Sequence, residues 1–268
     1  MVRRLLVLFP LVFFGCRGTG QVRIARPEQR LEVIDSLRLA VSAVDICGEG
    51  DRLVVLESSG IRLLRFDIGM ARCETIPLTR RLAAPHGLAS DRFYFYVYDD
   101  HVLYRMLKDE LELKSWLVNV RVAGLVNYSP GEMLVSDGER GVVWYKTIFG
   151  ESRKFLDISS VSGPGPLVAL PAGMFCVLTS SGRLVYFNRA GIVVRTVQLK
   201  EKYDLIATDG SGGLYLAKRG QTRLLIMKQE QLIEASFGQD VSLMAMAVLR
   251  SRIAILDKGN RIIIYRLP

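Results

Sequence analysis

Leu53-Val54-Val55-Leu56-Glu57-Ser58-Ser59-Gly60-Ile61-Arg62-Leu63-Leu64-Arg65-Phe66 consists of two short apolar runs folded about a polar turn that contains glycine. Runs of four to six residues, rich in aliphatic side chains and bounded by Ser and Gly, read as the two arms of a β-hairpin. The same unit recurs near the other end of the sequence, where Ile253-Ala254-Ile255-Leu256 and Ile262-Ile263-Ile264-Tyr265 flank Lys258-Gly259-Asn260.

Four further copies lie between them: 93–98 with 102–106, 133–135 with 142–145, 174–178 with 184–187, and 214–217 with 224–227. Anchored at Leu53, Phe93, Met133, Met174, Leu214 and Ile253, the copies are spaced 40, 40, 41, 40 and 39 residues apart. A period near 40 belongs either to propeller blades of four short strands or to helical repeats. No amphipathic helix of useful length interrupts the hairpins, so strand chemistry decides for blades.

Each hairpin is preceded by a segment rich in small residues, such as Gly87-Leu88-Ala89, Ala123-Gly124-Leu125-Val126 or Leu205-Ile206-Ala207, which suits a crowded innermost strand. Each is followed by a more polar segment (73–78, 114–118, 153–158, 193–199, 232–237), which suits an exposed outer strand. The sixth copy has only three strands, while 31–35, of outer-strand character, stands alone ahead of the first. The reading is an all-β, six-bladed β-propeller, four antiparallel strands per blade, with the last blade completed by the N-terminal strand. Such closure ties the ring shut and leaves only short edges. Residues 16–268 divided by six give about 42 per blade, within the usual blade size.

The segment ahead of the repeats has a different character. Arg3 and Arg4 precede an apolar run over 5–14, and Gly15-Cys16 follows, which is the layout of a signal peptide. Ten apolar residues are half of the roughly twenty a membrane-spanning helix requires. A cysteine straight after a small residue resembles the bacterial lipoprotein signal, although Phe13 and Phe14 stand where that pattern has Leu and a small residue. The resemblance implies lipidation at Cys16; cleavage near Gly18 without lipidation is the alternative. The expected division is 1–15 signal peptide, 16–30 linker, and 31–268 propeller. The destination is the bacterial envelope, periplasmic or surface-facing as a lipoprotein, or otherwise soluble periplasmic or secreted.

The residues also resemble the NHL-type six-bladed family, through Pro85-His86-Gly87-Leu88-Ala89, Ala207-Thr208-Asp209-Gly210-Ser211-Gly212-Gly213-Leu214-Tyr215-Leu216-Ala217, and Ile255-Leu256-Asp257-Lys258-Gly259-Asn260-Arg261-Ile262. That resemblance implies three chemistries to test: calcium-dependent lactonases, copper- and zinc-dependent lyases, and quinone-dependent dehydrogenases. His86 and His101 are the only histidines in the chain, so one copy has no three-histidine metal centre. A calcium site needs several converging oxygens, for which Asp45, Asn127 and Asp209 are the candidates. No Gly-x-Ser-x-Gly nucleophile motif and no phosphate-cradling glycine loop is present, and Gly163-Pro164-Gly165-Pro166 reads as a loop between blades. Cys47 and Cys73 fall on the inner and outer strands of one blade, roughly 14 Å apart at about 4.8 Å per strand, too far for a disulfide. Cys176 reads as a core residue.

The chain carries 36 Lys and Arg against 27 Asp and Glu, a net charge of +9, of which Arg3 and Arg4 supply two. Loops expected at the mouth of the central channel collect Arg80, Arg81, Arg121, Arg140, Lys200, Lys202, Lys218 and Arg219, with Asp99, Asp100, Asp137 and Asp257 among them. Arginine binds carboxylates and phosphates through two parallel hydrogen bonds. His86 or His101 with Asp99 or Asp137 is a candidate general-base or metal site. The aromatic run 93–98, Trp116 and Trp144 read as packing between blades, which with export argues against nucleic acid.

The expectation is therefore a monomeric, non-enzymatic binding or scaffold propeller that needs no cofactor or metal. It would take a protein, peptide or anionic glycan at His86, His101, Arg121, Asp137, Arg140, Lys218 and Asp257, and meet the membrane only through Cys16. Two alternatives stand beside it: a divalent-metal-dependent hydrolase or lyase of the same fold, and a purely structural part of a larger surface assembly.

Overall fold

The computed structural model describes residues 29–68, 72–160, 163–228, 231–238 and 240–268; the expected signal segment and Cys16 lie outside them. The described chain forms six four-stranded antiparallel units arranged as a ring, with one short 3-10 turn at Pro171–Gly173. Among the described residues no helix is long and apolar enough to cross a membrane. Innermost strands Ala43–Glu49, Gly87–Ser90, Val122–Ser129, Pro164–Leu170, Leu205–Thr208 and Leu243–Leu249 each touch the next, and the last touches the first. They surround the central channel.

Why the second strands read as unbroken apolar runs is plain from the packing. Leu53 and Val55 point into one interface, with Leu256 and Ile264 of the sixth blade; Val54 and Leu56 point into the opposite one, with Phe95 and Val97 of the second. A strand buried on both faces has no polar side to alternate with. One apolar cluster fills each of the six blade-to-blade interfaces. Each fully buried aliphatic side chain contributes roughly 1.5–3 kcal/mol, so the ring is held by its interfaces more than by any one blade.

The N-terminal strand closes the ring as expected, two residues later than the pattern suggested. Val33–Arg38 lies antiparallel on Arg261–Arg266, with Val33 opposite Tyr265 and Arg38 opposite Arg261. Its own side chains are exposed, and the anchors flank it. Leu31 is buried in the cluster between blades five and six, and Leu39 in the cluster between blades six and one. Gln29–Arg30, at the end of the expected linker, adds a short parallel strand to the outer edge of blade five against Ala235 and Ser236.

Gly163-Pro164-Gly165-Pro166 is a second departure, because Pro164–Leu170 is the inner strand of blade four and not a loop. A proline lacks the N–H that a central strand needs, but an innermost strand has one edge without a ladder partner and tolerates it. Gly124 in the neighbouring inner strand is required here: a Cβ would sit 2.6 Å from the Cα of Pro166. The three described cysteines are free thiols, with Cys47 on the inner and Cys73 on the outer strand of blade one, and Cys176 buried in blade four.

Candidate functional site: the channel mouth

In every blade the first residue of the inner strand faces the last residue of the second strand: Ala43 and Glu57, Gly87 and Tyr98, Val122 and Asp137, Pro164 and Thr179, Leu205 and Ala217, Leu243 and Asp257. The loops leading into inner strands and the turns between second and third strands therefore share one end of the channel. That register brings His86, His101, Arg121, Asp137, Arg140, Lys218 and Asp257 to one face.

Backbone placement does not make all of them available. Asp137 is 1% exposed. Its Oδ1 accepts the N–H groups of Glu139 and Arg140 at 3.1 Å, and its Oδ2 accepts from Trp144 Nε1 at 3.2 Å and Arg140 Nη1 at 3.3 Å. Asp257, 3% exposed, accepts from the N–H of Arg261 at 2.8 Å and from its Nε at 2.7 Å. Asp99 does the same for Val102 N–H and the Tyr104 hydroxyl. These carboxylates hold hairpin turns, and their lone pairs are directed into the protein.

His86 finds a different partner from those expected: its Nε2 contacts Asp100 Oδ1, one residue beyond the turn-bound Asp99. Both side chains are exposed. The hydrogen bond from His86 holds the Asp100 carboxyl below the ordinary carboxylate range, and its charge together with those of His101 and Arg121 adds to the effect. The pair thus sits beside an exposed imidazole and an exposed guanidinium.

A second group, deeper in the mouth, joins Tyr98, which the sequence offered only as packing, to Asp45 and Arg219. Tyr98 lays its ring against Gly87, where a Cβ would fall 2.0 Å from the ring's Cζ and hydroxyl. Its neighbours in charge are Asp45, on the inner strand of blade one, and Arg219, on the turn of blade five. Asp45 Oδ2 accepts the N–H of Leu88 at 2.8 Å. Protein surrounds its carboxyl although part of its surface opens to the channel, and burial lifts it to about 6 against the lowering effects of that hydrogen bond and of Arg219. Burial also raises Tyr98, with the Asp45 charge adding to it.

The candidate calcium ligands do not converge. Asn127 and Asp209 lie at the opposite ends of their inner strands from the mouth. Asn127 Nδ2 donates to Ser90 C=O at 3.3 Å, and Asp209 binds the turn N–H groups of Ser211 and Gly213 and the Tyr215 hydroxyl. Among the described residues no group of three His, Cys, Asp or Glu is placed to hold a metal ion.

Charge at the mouth is asymmetric in availability. Arg81, Arg121, Lys200, Lys202, Lys218 and Lys258 are exposed and make no ion pair among the described residues, whereas Glu57, Asp99, Asp137 and Asp257 are buried and bonded to turns or arginines. Asp100 is taken by His86. Among the described residues Glu139, Glu201, Asp204 and Asp240 have no ion pair, four carboxylates against six such cations.

The fold and this face define a six-bladed β-propeller with a basic channel mouth. No known family matches the sequence, and no curated protein does. Solved structures match in fold. Virginiamycin B lyase from Staphylococcus aureus is 8% identical with a TM-score of 0.66, over 87% of this chain and 99% of that one. A streptogramin B lyase is 11% identical with a TM-score of 0.64, over 87% of each chain. YCF48 bound to D1 peptide is 12% identical with a TM-score of 0.56, over 84% of this chain and 77% of that one. At these identities the likeness is one of architecture, which hosts unrelated activities; the NHL resemblance stands on the quoted blades alone.

Proposed function

We propose that this chain is a non-enzymatic binding propeller of the bacterial cell envelope, an NHL-type lipoprotein anchored at Cys16, that takes an anionic protein, peptide or glycan at its channel mouth. The carrying observation is that the mouth's turn carboxylates are consumed by the fold, whereas Arg81, Arg121, Lys200, Lys202, Lys218 and Lys258 are exposed and make no ion pair among the described residues. Unpaired cations on a shared face attract anions and accelerate encounter.

The test is fluorescence anisotropy of labelled polyglutamate with the full chain. Reversing Arg121, Lys218 and Lys258 (R121E/K218E/K258E) is expected to weaken binding by at least about tenfold, or 1.4 kcal/mol, and raising salt to weaken it further. Reversing Arg92 and Arg250 on the opposite face is expected to leave it nearly unchanged. Equal loss from both variants would refute a site at the mouth.

A second reading, a divalent-metal-dependent hydrolase or lyase, draws on the exposed His86–Asp100 pair with His101 alongside. Stoichiometric metal in the purified chain, and a rise in melting temperature with calcium or zinc, would select it.

A further inference from the structure

Arg219 and Tyr98 present donors at the mouth that the protein does not use. The N–H of Arg219 is held by Asp204 Oδ2 at 3.1 Å and its Nε donates to Met244 C=O at 3.2 Å, which fixes the side chain over the inner strand of blade six. Its two Nη groups have no acceptor among the described residues, and neither does the Tyr98 hydroxyl. Tyr98 is seated by Gly87, the inner-strand residue on which its ring rests. Asp45 lies within electrostatic reach of both and beyond ion-pair distance of Arg219.

We propose, resting on the binding reading above, that Arg219 and Tyr98 grip a single carboxylate of the peptide partner at the channel mouth, with Asp45 forming a proton-sensitive side of the seat. A guanidinium edge and a hydroxyl supply three donors, matched to the lone pairs of one carboxylate. A dianion is a poorer fit beside Asp45. The groups facing Asp45 are Arg219 from blade five, Tyr98 from blade two and Cys47 on its own strand, with Glu49 and Lys108 further along, beside Cys47. Between pH 7.5 and 5.5 Asp45 takes up a proton, ceases to repel the incoming carboxylate and becomes a donor to it, so affinity rises on acidification.

The experiment is anisotropy of fluorescein-labelled tetraglutamate with the full chain in an H86Q/H101Q background, so that the imidazoles do not contribute. The dissociation constant is expected to fall about tenfold from pH 7.5 to 5.5, the scale of one like-charge contact in a partly solvated site. D45N is expected to bind tightly at both pH values. R219A and Y98F are expected to weaken binding at pH 5.5, whereas K258A weakens it equally at both. Amidating the peptide C-terminus distinguishes the sources: weaker binding assigns the terminal carboxylate, and unchanged binding assigns a side-chain one. Binding indifferent to R219A, or a pH profile that survives D45N, overturns the seat and leaves the basic mouth standing. No binding at any pH overturns both.

Discussion

Replacing Lys108 with methionine would remove the cation that joins blades one and two on the side away from the mouth. Lys108 is 13% exposed and Glu49 18% exposed at the side chain. The ammonium contacts Glu49 Oε1, donates to Asp91 C=O at 2.5 Å and lies 4.7 Å from the centre of the Phe95 ring. Without it, Glu49 keeps Arg65 at 3.6 Å, a guanidinium already shared with Glu74 at 2.5 Å. Breaking a fully buried pair costs about 3–5 kcal/mol because a charge is left uncompensated. The residual exposure and the remaining Arg65 reduce this to about 2–3 kcal/mol, a large part of the roughly 5–15 kcal/mol that holds a domain folded. Urea unfolding followed by Trp116 and Trp144 fluorescence is expected to show a lower midpoint with an unchanged slope. Melting should fall by about 5–10 °C. The double variant E49L/K108M, which removes both charges and keeps the volume, is expected to return to within about 1 kcal/mol of the parent. A single variant as stable as the parent, or a double variant no better than the single, would refute the assignment of this cluster as an interblade clamp.

Gly87→Ala would push a methyl group into the Tyr98 ring, so a loss of about 1–3 kcal/mol is expected, relieved when Tyr98→Ala is combined with it in a double-mutant cycle. Asp45 titrates higher folded than unfolded, so its favourable contribution is present below about pH 4 and lost as pH rises through about 6. D45N is therefore expected to be more stable than the parent at pH 7.5, by about 2 kcal/mol, and equal to it near pH 4 in parallel urea titrations. Asp137→Ala removes the cap of a hairpin turn and leaves Trp144 Nε1 unpaired, for an expected cost of about 2–3 kcal/mol. Folded at low temperature, that variant should still bind polyglutamate as the parent does, which separates scaffold from site.

The blades were legible because their second and third strands are buried on both faces and so leave runs such as 53–56 and 262–265 that only a strand of this kind explains. Gly163-Pro164-Gly165-Pro166 misled because Gly and Pro mark loops wherever both edges of a strand need partners, and the inner strand of a ring has a free edge. Gln29–Arg30 is too short to carry a pattern. At the mouth, the spacing of loops placed His86, His101 and Arg121 on one face, but not which of two adjacent aspartates would be free. Asp99 is drawn into the turn by Val102 and Tyr104, and Asp100 is left to His86. Tyr98 sits in the aromatic run 93–98 and packs against the cluster between blades two and three, as that run suggested, while its ring also rests on Gly87, which spacing does not reveal. The available signal was its register partner, a glycine that opens an inner strand.

Carbodiimide cross-linking of polyglutamate to the full chain, with the modified lysines read by mass spectrometry, locates the bound anion on the protein surface. Cross-links are expected at Lys200, Lys202, Lys218 and Lys258, all at the mouth, and few at the exposed outer-strand Lys114 and Lys154, which Glu112 and Asp157 already pair. Cross-links spread evenly over Lys114, Lys154 and the mouth lysines would contradict a site at the mouth.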